Sequence, residues 1–454
     1  LIVYESKKGV CYMQLNMTYS VKIKHYNKIF NDTVKLYRDA TDFFIKICLQ
    51  EWNIIKTGKS QKEKVNIVES LTVKTKNNPA PKYDFGKQFY KFPSYLRRAA
   101  IAEAIGKVSS YFSNLKNWET KEPAQRGKRP GFPCSGYIYP AMYRDNMFIR
   151  TDTYKAAVKV FIRNTWDWLE VDLKKSDVDY IKRHCHSYKE CVPTLQKRGK
   201  EWFLDFVYQT SVKLPDTRIK EQLILAVDLG INNACTCSIL DSNGTIYGRK
   251  FLKLPKEYDS LEHAIGHIKH AQKLGARRIP RLWDQAKGIN DDIAVKTASF
   301  IIETAILYNV DCIVMEHLDL AGKKRGSKKQ KLQLWRAKYV QSMVADKAHR
   351  NSIRISHICA WKTSKLAYDG SGTVERGQTA GFNSYSLCRF QTGKIYNCDL
   401  NATYNIGARY FIRELIKTLS VTMEQTILAK VPELIHRSTC TLSSLYKLNA
   451  VLAA

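Results

Sequence analysis

Long apolar runs, cysteines and acidic residues are all scarce in this sequence. No run approaches the roughly 18 consecutive apolar residues that a membrane-spanning helix needs, which excludes a transmembrane protein. Twelve cysteines in 454 residues are too few for a disulfide-stapled secreted scaffold, so we expect reduced thiols and a cytoplasmic protein. The apolar residues 1–4 are followed at once by charged residues, so we expect no export signal there.

The shortage of acids has the largest consequence. Only 42 aspartates and glutamates face 74 lysines and arginines, which leaves a formal net charge of +32 and a pI near 9.6. A charge of this size, spread over the whole chain, predicts a polyanionic partner and suits a protein that follows a phosphate backbone. An anionic membrane surface is the alternative, but no basic amphipathic helix with Trp or Phe stands out to support it.

The periodicity of apolar residues indicates a β domain interrupted by helices. Residues 11–19 alternate as in a half-buried strand, whereas apolar residues recur every three or four positions from about residue 22, as in a long amphipathic helix. A second helix is predicted from Ser94, and residues 56–87 between the two are polar and weakly patterned. Short strands return after the basic breaker RGKRPGFP at 126–133. We therefore expect one strand before a helical insertion and several after it, within roughly three domains in all.

Three acids lie at the ends of predicted elements in the C-terminal half. Asp228 ends the apolar run LILAV, and Glu316 ends a second such run, CIVM. Asp399 stands where the N-cap of a helix running to about Ile416 is expected. Converging carboxylates tolerate one another when a hard divalent cation lies between them, so we predict a site for Mg²⁺ or Mn²⁺. Two such ions can activate water and stabilise the leaving oxygen in phosphodiester hydrolysis.

Each acid also has an ordinary structural explanation. Asp228 can simply terminate a strand, Glu316 can be a surface acid, and Asp399 can be a helix cap. The spacing of the three acids does not decide between the structural and the catalytic interpretation.

The residues around these acids resemble a known family. The segments VDLGINN (227–233), IVMEHLDL (313–320) and CDLNATYNIGARYF (398–411) are similar to the three RuvC motifs of transposon-encoded TnpB nucleases and of compact type V CRISPR effectors. The resemblance implies an RNA-guided DNA endonuclease with an RNase H-like nuclease domain, in which the three acids bind metal and are catalytic. It also implies a guide RNA and a target double-stranded DNA as partners, with a short flanking motif read by the protein.

The resemblance further implies an architecture. We expect an α/β nuclease domain of the RuvC type and an N-terminal β-barrel-like wedge domain that is interrupted by a helical recognition domain. The expected boundaries are 1–20 and 126–216 for the wedge domain, 21–125 for the recognition domain, 217–360 and 398–454 for the nuclease domain and its tail, and 361–397 for an insertion resembling a degenerate zinc ribbon. The sequence assigns no role to residues 418–454.

The insertion departs from the family pattern because its cysteines are missing. The family's zinc ribbon has two C-x-x-C pairs, but here Thr363 and Ser364 are followed by KLAYDGSG, and only Cys388 remains of the second pair. No four-thiolate site can be built from these positions, so we expect no structural zinc there. The aromatic residues expected to supply the missing order are Phe382, Tyr385, Phe390 and Tyr396.

Two groups of cations are candidates for contact with nucleic acid. One is the run KKRGSKKQK, which begins seven residues after Glu316. Its members expected to bind phosphate are Lys323, Lys324, Arg325, Lys328 and Lys329. The other is Arg97 with Arg98 in the first turn of the second helix, where they oppose the helix dipole unless an anion such as phosphate is bound. Simple exposure to solvent is the alternative for both groups.

Two other functions stay open at the level of sequence. One is a guide-directed DNA-binding protein that represses without cutting, and the other is a strand-transferring transposase. The presence of all three acids favours cleavage over repression. The motifs do not distinguish a guide derived from a transposon from one derived from a CRISPR array.

Overall fold

The computed structural model shows a mixed α/β protein, as the sequence predicts, and describes residues 4–7, 10–25, 27–76, 78–143, 145–230, 233–318 and 336–454. The chain forms two compact units, one of residues 16–210 and the other of residues 211–454 with the chain start up to residue 15. None of the helices within the described ranges combines the length and the apolar character that a bilayer crossing demands. Every cysteine whose side chain is described is a free thiol.

The first half of the chain contains a helical block flanked by strands. Its helices are α1 (Ile29–Gln50), α2 (Trp52–Ile55), α3 (Gln61–Thr72), α4 (Phe85–Gln88), α5 (Ser94–Glu119) and α6 (Lys175–Cys185), with a 3-10 turn at Pro123–Gln125. Its strands are β1 (Tyr4–Lys7), β2 (Val10–Lys22), β3 (Phe148–Asp152), β4 (Lys155–Ile162), β5 (Thr165–Asp172), β6 (Lys189–Glu190), β7 (Thr194–Arg198) and β8 (Glu201–Leu214).

These strands form two sheets. One has the order β1-β2-β8-β6 with β7 paired to β8, and the other has the order β3-β4-β5. Strand β2, which precedes the helical block, therefore lies beside β8, which follows it. Within the unit of 16–210, helix α1 packs on α5 and on β4, and one hydrophobic core that includes Phe30, Phe44, Trp202 and Phe206 joins helices to sheets.

The predicted start of the first helix is wrong by several residues. Helix α1 begins at Ile29 and not near residue 22. Strand β2 instead continues to Lys22, because Val21 and Ile23 extend its buried face into the core. The second predicted helix is confirmed, since α5 begins at Ser94.

Helix α3 lies in the stretch that the apolar pattern leaves unassigned. Its N-cap Ser60 accepts a hydrogen bond from the backbone N–H of Glu63 at 3.2 Å. The Glu63 carboxylate accepts one in turn from the backbone N–H of Lys59 at 2.8 Å. Few apolar residues mark this helix, but its S-x-x-E start signal is present in the sequence.

The unit of 211–454 is built on one five-stranded sheet. Its strands are β9 (Leu223–Asp228), β10 (Cys235–Asp241), β11 (Ile246–Leu252), β12 (Cys312–His317) and β13 (Arg354–Cys359), followed by the short β14 (Glu375–Arg376), β15 (Leu387–Arg389) and β16 (Ile395–Asn397). Its helices are α7 (Pro255–Lys273), α8 (Pro280–Leu307), α9 (Ala337–Arg350), α10 (Cys398–Lys417), α11 (Val421–Lys430) and α12 (Leu442–Ala453), with 3-10 turns at Ile219–Glu221, Gly377–Ala380, Pro432–Ile435 and Arg437–Thr439.

The order of the five strands is β11-β10-β9-β12-β13. Strand β10 is antiparallel to β9 and β11, whereas β12 is parallel to β9 and β13. Helix α10 packs on one face of this sheet, and α8 and α9 cover the other face. Both faces are therefore buried, which explains the continuous apolar runs of β9 and β12.

The insertion of residues 361–397 contains a small sheet of β14, β15 and β16. Phe390 lies in a buried cluster with Cys388 and Cys398, and Tyr396 packs against that cluster. Aromatic packing is thus confirmed for Phe390 and Tyr396. It is wrong for Tyr385, which is 70% exposed because it lies in the turn before β15.

The C-terminal residues 418–454 cover helix α10. Helix α12 packs on α10 in the core that includes Leu445 and Leu448. The backbone carbonyl of Cys440 accepts a hydrogen bond from Arg409 Nε at 3.0 Å, and the backbone N–H of Leu442 donates one to Asn405 Oδ1 at 3.3 Å. These residues are therefore part of the domain that α10 belongs to.

Helix α10 approaches the sheet closely at Gly407. A Cβ atom there would lie 2.6 Å from both terminal methyl groups of the buried Leu240. We expect Gly407→Ala to lower the free energy of unfolding by about 1–2 kcal/mol, because overpacking outweighs the gain in helix propensity. Chemical denaturation measures this change.

Gly288 in helix α8 is the matched control. Nothing lies within 4 Å of a Cβ atom at this position. We expect Gly288→Ala to raise the free energy of unfolding by about 0.5–1 kcal/mol. Equal effects of the two substitutions would contradict the close approach of α10 to β10.

Candidate active site

Two of the predicted acids lie at the ends of neighbouring strands. Strands β9 and β12 are parallel, and Val227 lies opposite Met315 in their register. Side chains alternate along a strand, so Asp228 and Glu316, which follow this pair, point to the same face of the sheet. That face carries Ala226 of β9 and packs against helix α10.

The third acid comes to this face from helix α10. The predicted N-cap is wrong, because Asn397 and not Asp399 caps the helix: Asn397 Oδ1 accepts hydrogen bonds from the backbone N–H groups of Asp399 at 3.0 Å and of Leu400 at 2.9 Å. Asp399 lies in the first turn, where a carboxylate is favoured by the helix dipole. Its side chain is therefore released from capping, and Asp399 Oδ2 accepts a hydrogen bond from Asn233 Nδ2 at 2.8 Å.

The charges of the other two acids act on Asp228. Burial raises the pKa of Asp228 well above its usual value, and the charges of Glu316 and Asp399 raise it further, against a smaller opposing effect of Arg376. Burial also raises the pKa of Glu316, which a hydrogen bond from Thr363 and the charge of Arg409 oppose. A pKa raised by the charges of two neighbouring acids is expected where carboxylates converge.

The site remains accessible and lacks a paired cation. Each of the three acids is half-buried. Within the described ranges, none of the three forms a salt bridge with Lys or Arg. Negative charge is thus concentrated at a surface that a cation or a substrate can reach.

A row of buried polar residues on α10 holds the segment beside the site. The row consists of Asn401, Asn405 and Arg409, spaced four residues apart and therefore on one helix face. Asn401 Nδ2 donates to the carbonyl oxygen of Leu366 at 2.8 Å, and Asn405 Nδ2 donates to that of Thr363 at 2.9 Å. Arg409 Nη1 donates to two further carbonyl oxygens, those of residue 359 at 3.0 Å and residue 361 at 2.8 Å.

Thr363 connects this polar row to the active site. Its hydroxyl donates a hydrogen bond to Glu316 Oε1, while its backbone carbonyl is held by Asn405. The hydroxyl is buried, so its direction is set by the surrounding fold. Sequence reasoning did not assign Thr363, Asn401 or Asn405 a role, although polar residues at positions expected to face a core are a signal for one.

The loop after β9 brings Asn233 back toward Asp399. A Cβ atom at Gly230 would lie 2.5 Å from the carbonyl oxygen of Asn233, so only glycine permits this close approach of the two backbones. Asn233 then donates the hydrogen bond that Asp399 accepts. The motif around Asp228 therefore supplies both an acid and a residue that orients another acid.

The chemistry of these acids fits Mg²⁺ or Mn²⁺. All donors are hard carboxylate oxygens, and a divalent cation would supply the positive charge that the group lacks. As the side chains stand in the part of the chain that the structure describes, no three His, Cys, Asp or Glu residues are arranged to hold an ion. The fit therefore rests on donor type and charge.

The predicted cations outside this site have different positions. Arg97 Nη2 lies 3.1 Å from Glu69 Oε1, and Arg98 Nη2 lies 2.7 Å from Glu69 Oε2. The anion near the first turn of α5 is therefore the carboxylate of Glu69. The other group, Lys323 to Lys329, lies outside the described residues.

Comparisons with known proteins found a matching family model and related sequences. Residues 17–162 match the Aq_aa04 family. The TnpB-like protein aq_aa05 of Aquifex aeolicus is 28% identical over 235 residues, which cover 46% of this chain and 74% of that protein. The uncharacterized protein aq_aa04 of the same organism is 28% identical over 147 residues, which cover 29% of this chain and 83% of that protein.

Among solved structures, the chain is similar to one from a Cas12f1-sgRNA-target DNA complex. The two are 14% identical with a TM-score of 0.48, and the match covers 88% of this chain and 99% of that one. The sequence match to aq_aa05 is the informative comparison, and it identifies this chain as a homologue of a TnpB-like protein.

Proposed function

We propose that this chain is an RNA-guided, metal-dependent DNA endonuclease of the RuvC type. The observation that carries the proposal is that parallel β9 and β12 place Asp228 and Glu316 side by side on the sheet face covered by α10, the helix that contributes Asp399. The charges of Glu316 and Asp399 act on Asp228, and such a group of carboxylates has no evident structural use. Homology to a TnpB-like protein supports the same assignment.

The proposed fold of the nuclease domain is RNase H-like. Its support is a five-stranded sheet in which β9 is central, β10 and β11 continue it by hairpins, and the parallel β12 and β13 lie on the other side. We further propose that β2 and β8 belong to one wedge domain, that helices α1 to α5 form a recognition domain, and that the boundaries are those expected from the sequence, with the first wedge segment extended to Lys22, the end of β2. The pairing of β2 with β8 supports this division.

In the proposed mechanism, Asp228, Glu316 and Asp399 are the residues that would hold divalent cations. Bound Mg²⁺ or Mn²⁺, expected as two ions, supplies activation of water and neutralisation of charge on the phosphate. Thr363 and Asn233 orient their carboxylate partners by the hydrogen bonds described above. Asp228 and Glu316 project from the ends of a buried sheet, so their backbones are rigid.

The proposed partners are a guide RNA and a target double-stranded DNA. The net charge of +32 supports a large phosphate contact area, to which we propose that the cations from Lys323 to Lys329 contribute, together with Arg97 and Arg98, which also pair with Glu69. We propose no structural zinc in residues 361–397, since Phe390 and Tyr396 pack in the core of this segment.

Replacement of Asp228 by Asn tests the catalytic assignment. We expect guided cleavage in Mg²⁺ to fall by about four orders of magnitude, because residues that cooperate in one catalytic group are lost as a unit. Guided DNA binding should persist, since phosphate contacts are distributed over the surface. Cleavage of a labelled target and a parallel binding assay measure the two effects.

Asp346 provides the matched control for this test. Its carboxylate is 61% exposed and pairs with Arg350 at 3.3 Å, away from the three acids in the sequence. Asp346→Asn should cleave at the wild-type rate. Addition of Mg²⁺ should raise the melting temperature of wild type and of D346N but not of D228N, because only the first two retain the site. Wild-type cleavage by D228N would remove Asp228 from the site.

Thr363→Val tests how Glu316 is positioned. The substitution keeps the shape of the side chain but removes the hydroxyl that donates to Glu316. We expect the Mg²⁺ concentration for half-maximal cleavage to rise about 10–100-fold, the usual effect of losing an orienting partner of a metal ligand. Thr363→Ser keeps the hydroxyl and should stay near wild type. Equal metal dependence of the Val and Ser variants would exclude a positioning role.

Neutralisation of the basic run KKRGSKKQK tests its phosphate contacts. We expect the joint replacement of Lys323, Lys324, Arg325, Lys328 and Lys329 by Gln to weaken DNA binding and to flatten its salt dependence. The slope of log affinity against log salt should fall by up to about 4.5, because each lost phosphate contact removes about 0.9. Lys447→Gln is the control, since Lys447 already pairs with Glu433 at 2.9 Å. An unchanged slope would contradict phosphate contacts by this basic run.

A further inference from the structure

A basic segment without regular secondary structure lies along helix α5. It comprises residues 126–137 and follows the 3-10 turn that ends at Gln125. Between Gly131 to Cys134 of this segment and α5 there is a groove of about 460 Å³. The polar residues that line the groove from α5 are Glu103, Lys107, Ser110 and Asn114.

The backbone of the segment is held at both ends. Near its start, Trp118 Nε1 donates to the carbonyl oxygen of Gly127 at 2.8 Å, and Arg126 Nη2 donates to that of Glu119 at 2.6 Å. Near its end, the backbone N–H and the hydroxyl of Ser135 donate to the carboxylate of Asp42 at 2.8 and 2.6 Å. The segment therefore presents its outward side chains from a fixed backbone, so binding costs little ordering entropy.

Two aromatic rings of the segment are presented to solvent. Phe132 is 77% exposed, although one face of its ring stacks on Tyr111 with centroids 5.5 Å apart and an angle of 30°. Tyr137 is 95% exposed. Large rings left outside the core suit stacking of unpaired bases, since every base has an apolar face.

The charge of the segment suits a phosphate backbone. Residues 123–140 contain three cations and no carboxylate. Arg126 helps to hold the start of the segment by donating to backbone carbonyls. Lys128 and Arg129 are exposed and have no carboxylate partner among the described residues. Cations next to exposed aromatic rings are typical of surfaces that bind single strands.

We propose that this surface, formed by residues 126–137 and the groove on α5, binds an unpaired RNA strand. A base stacks on the free face of Phe132, and Lys128 and Arg129 contact phosphates. Glu103, Ser110 and Asn114 offer acceptors and donors for ribose 2′-hydroxyl groups, which DNA lacks. The inference rests on the proposed function only in naming this RNA as an unpaired part of the guide.

The test measures binding of a short labelled RNA without secondary structure to the full chain in EDTA. We expect Phe132→Ala to weaken this binding about tenfold, the scale of one lost stacking contact. Phe132→Leu keeps an apolar cover on Tyr111 and should show the same loss, which separates lost stacking from lost folding. Joint replacement of Lys128 and Arg129 by Gln should lower the salt slope by about 1.4, because a single strand contributes about 0.7 per contact.

Tyr247→Ala is the control, because Tyr247 is 58% exposed on strand β11 of the other unit. It should bind the RNA as wild type does. Wild-type affinity of both Phe132 variants, or an unchanged salt slope of the cation variant, would overturn the proposal. Equal affinity for DNA of the same sequence would overturn the assignment to RNA. EDTA prevents cleavage, so a chain that failed as a nuclease would still give a clear result here.

Discussion

The buried polar face of helix α10 is the feature on which the rest of the unit of residues 211–454 depends. Asn401, Asn405 and Arg409 donate hydrogen bonds to backbone carbonyls between residues 359 and 366, among them the carbonyl of the buried Thr363. An unmade buried hydrogen bond costs about 1–3 kcal/mol, so several of them together fix one position of this segment against the helix. The same helix contributes Asp399 from its first turn and packs its apolar residues on the sheet.

The packing of α10 also orients the carboxylates of the candidate site. The polar row holds the backbone of Thr363 in place, and the Thr363 hydroxyl orients the Glu316 carboxylate. The parallel register of β12 on β9 places Glu316 beside Asp228. Concentrated carboxylates oppose folding, because burial and neighbouring charges both disfavour the ionised form of Asp228. A fold that keeps such a group must be stabilised elsewhere, and the two apolar cores on either face of the sheet are the evident source.

Local patterns were sufficient to predict an element where the sequence of that element carried its own signal. The apolar runs of β9 and β12, the second helix from Ser94 and the helix after Asn397 all appear where the sequence places them. Local patterns failed where a partner in space decided the outcome. Strand β2 continues to Lys22 because Val21 is buried in the core. Arg98 pairs with Glu69, which lies on helix α3, and the apolar pattern does not reveal that helix.

The sequence by itself determined the charge, the two-sided burial of the central strands and the positions of three acids at the ends of predicted elements, because each depends on composition or on neighbours along the chain. Only the tertiary structure decided that Asn397 caps α10, that Asn233 meets Asp399 and that Thr363 meets Glu316. These contacts join residues 166 and 47 positions apart in the last two cases. Hydrogen bonds of that separation depend on how the strands and helix pack, and packing is set by the whole core and not by any local pattern.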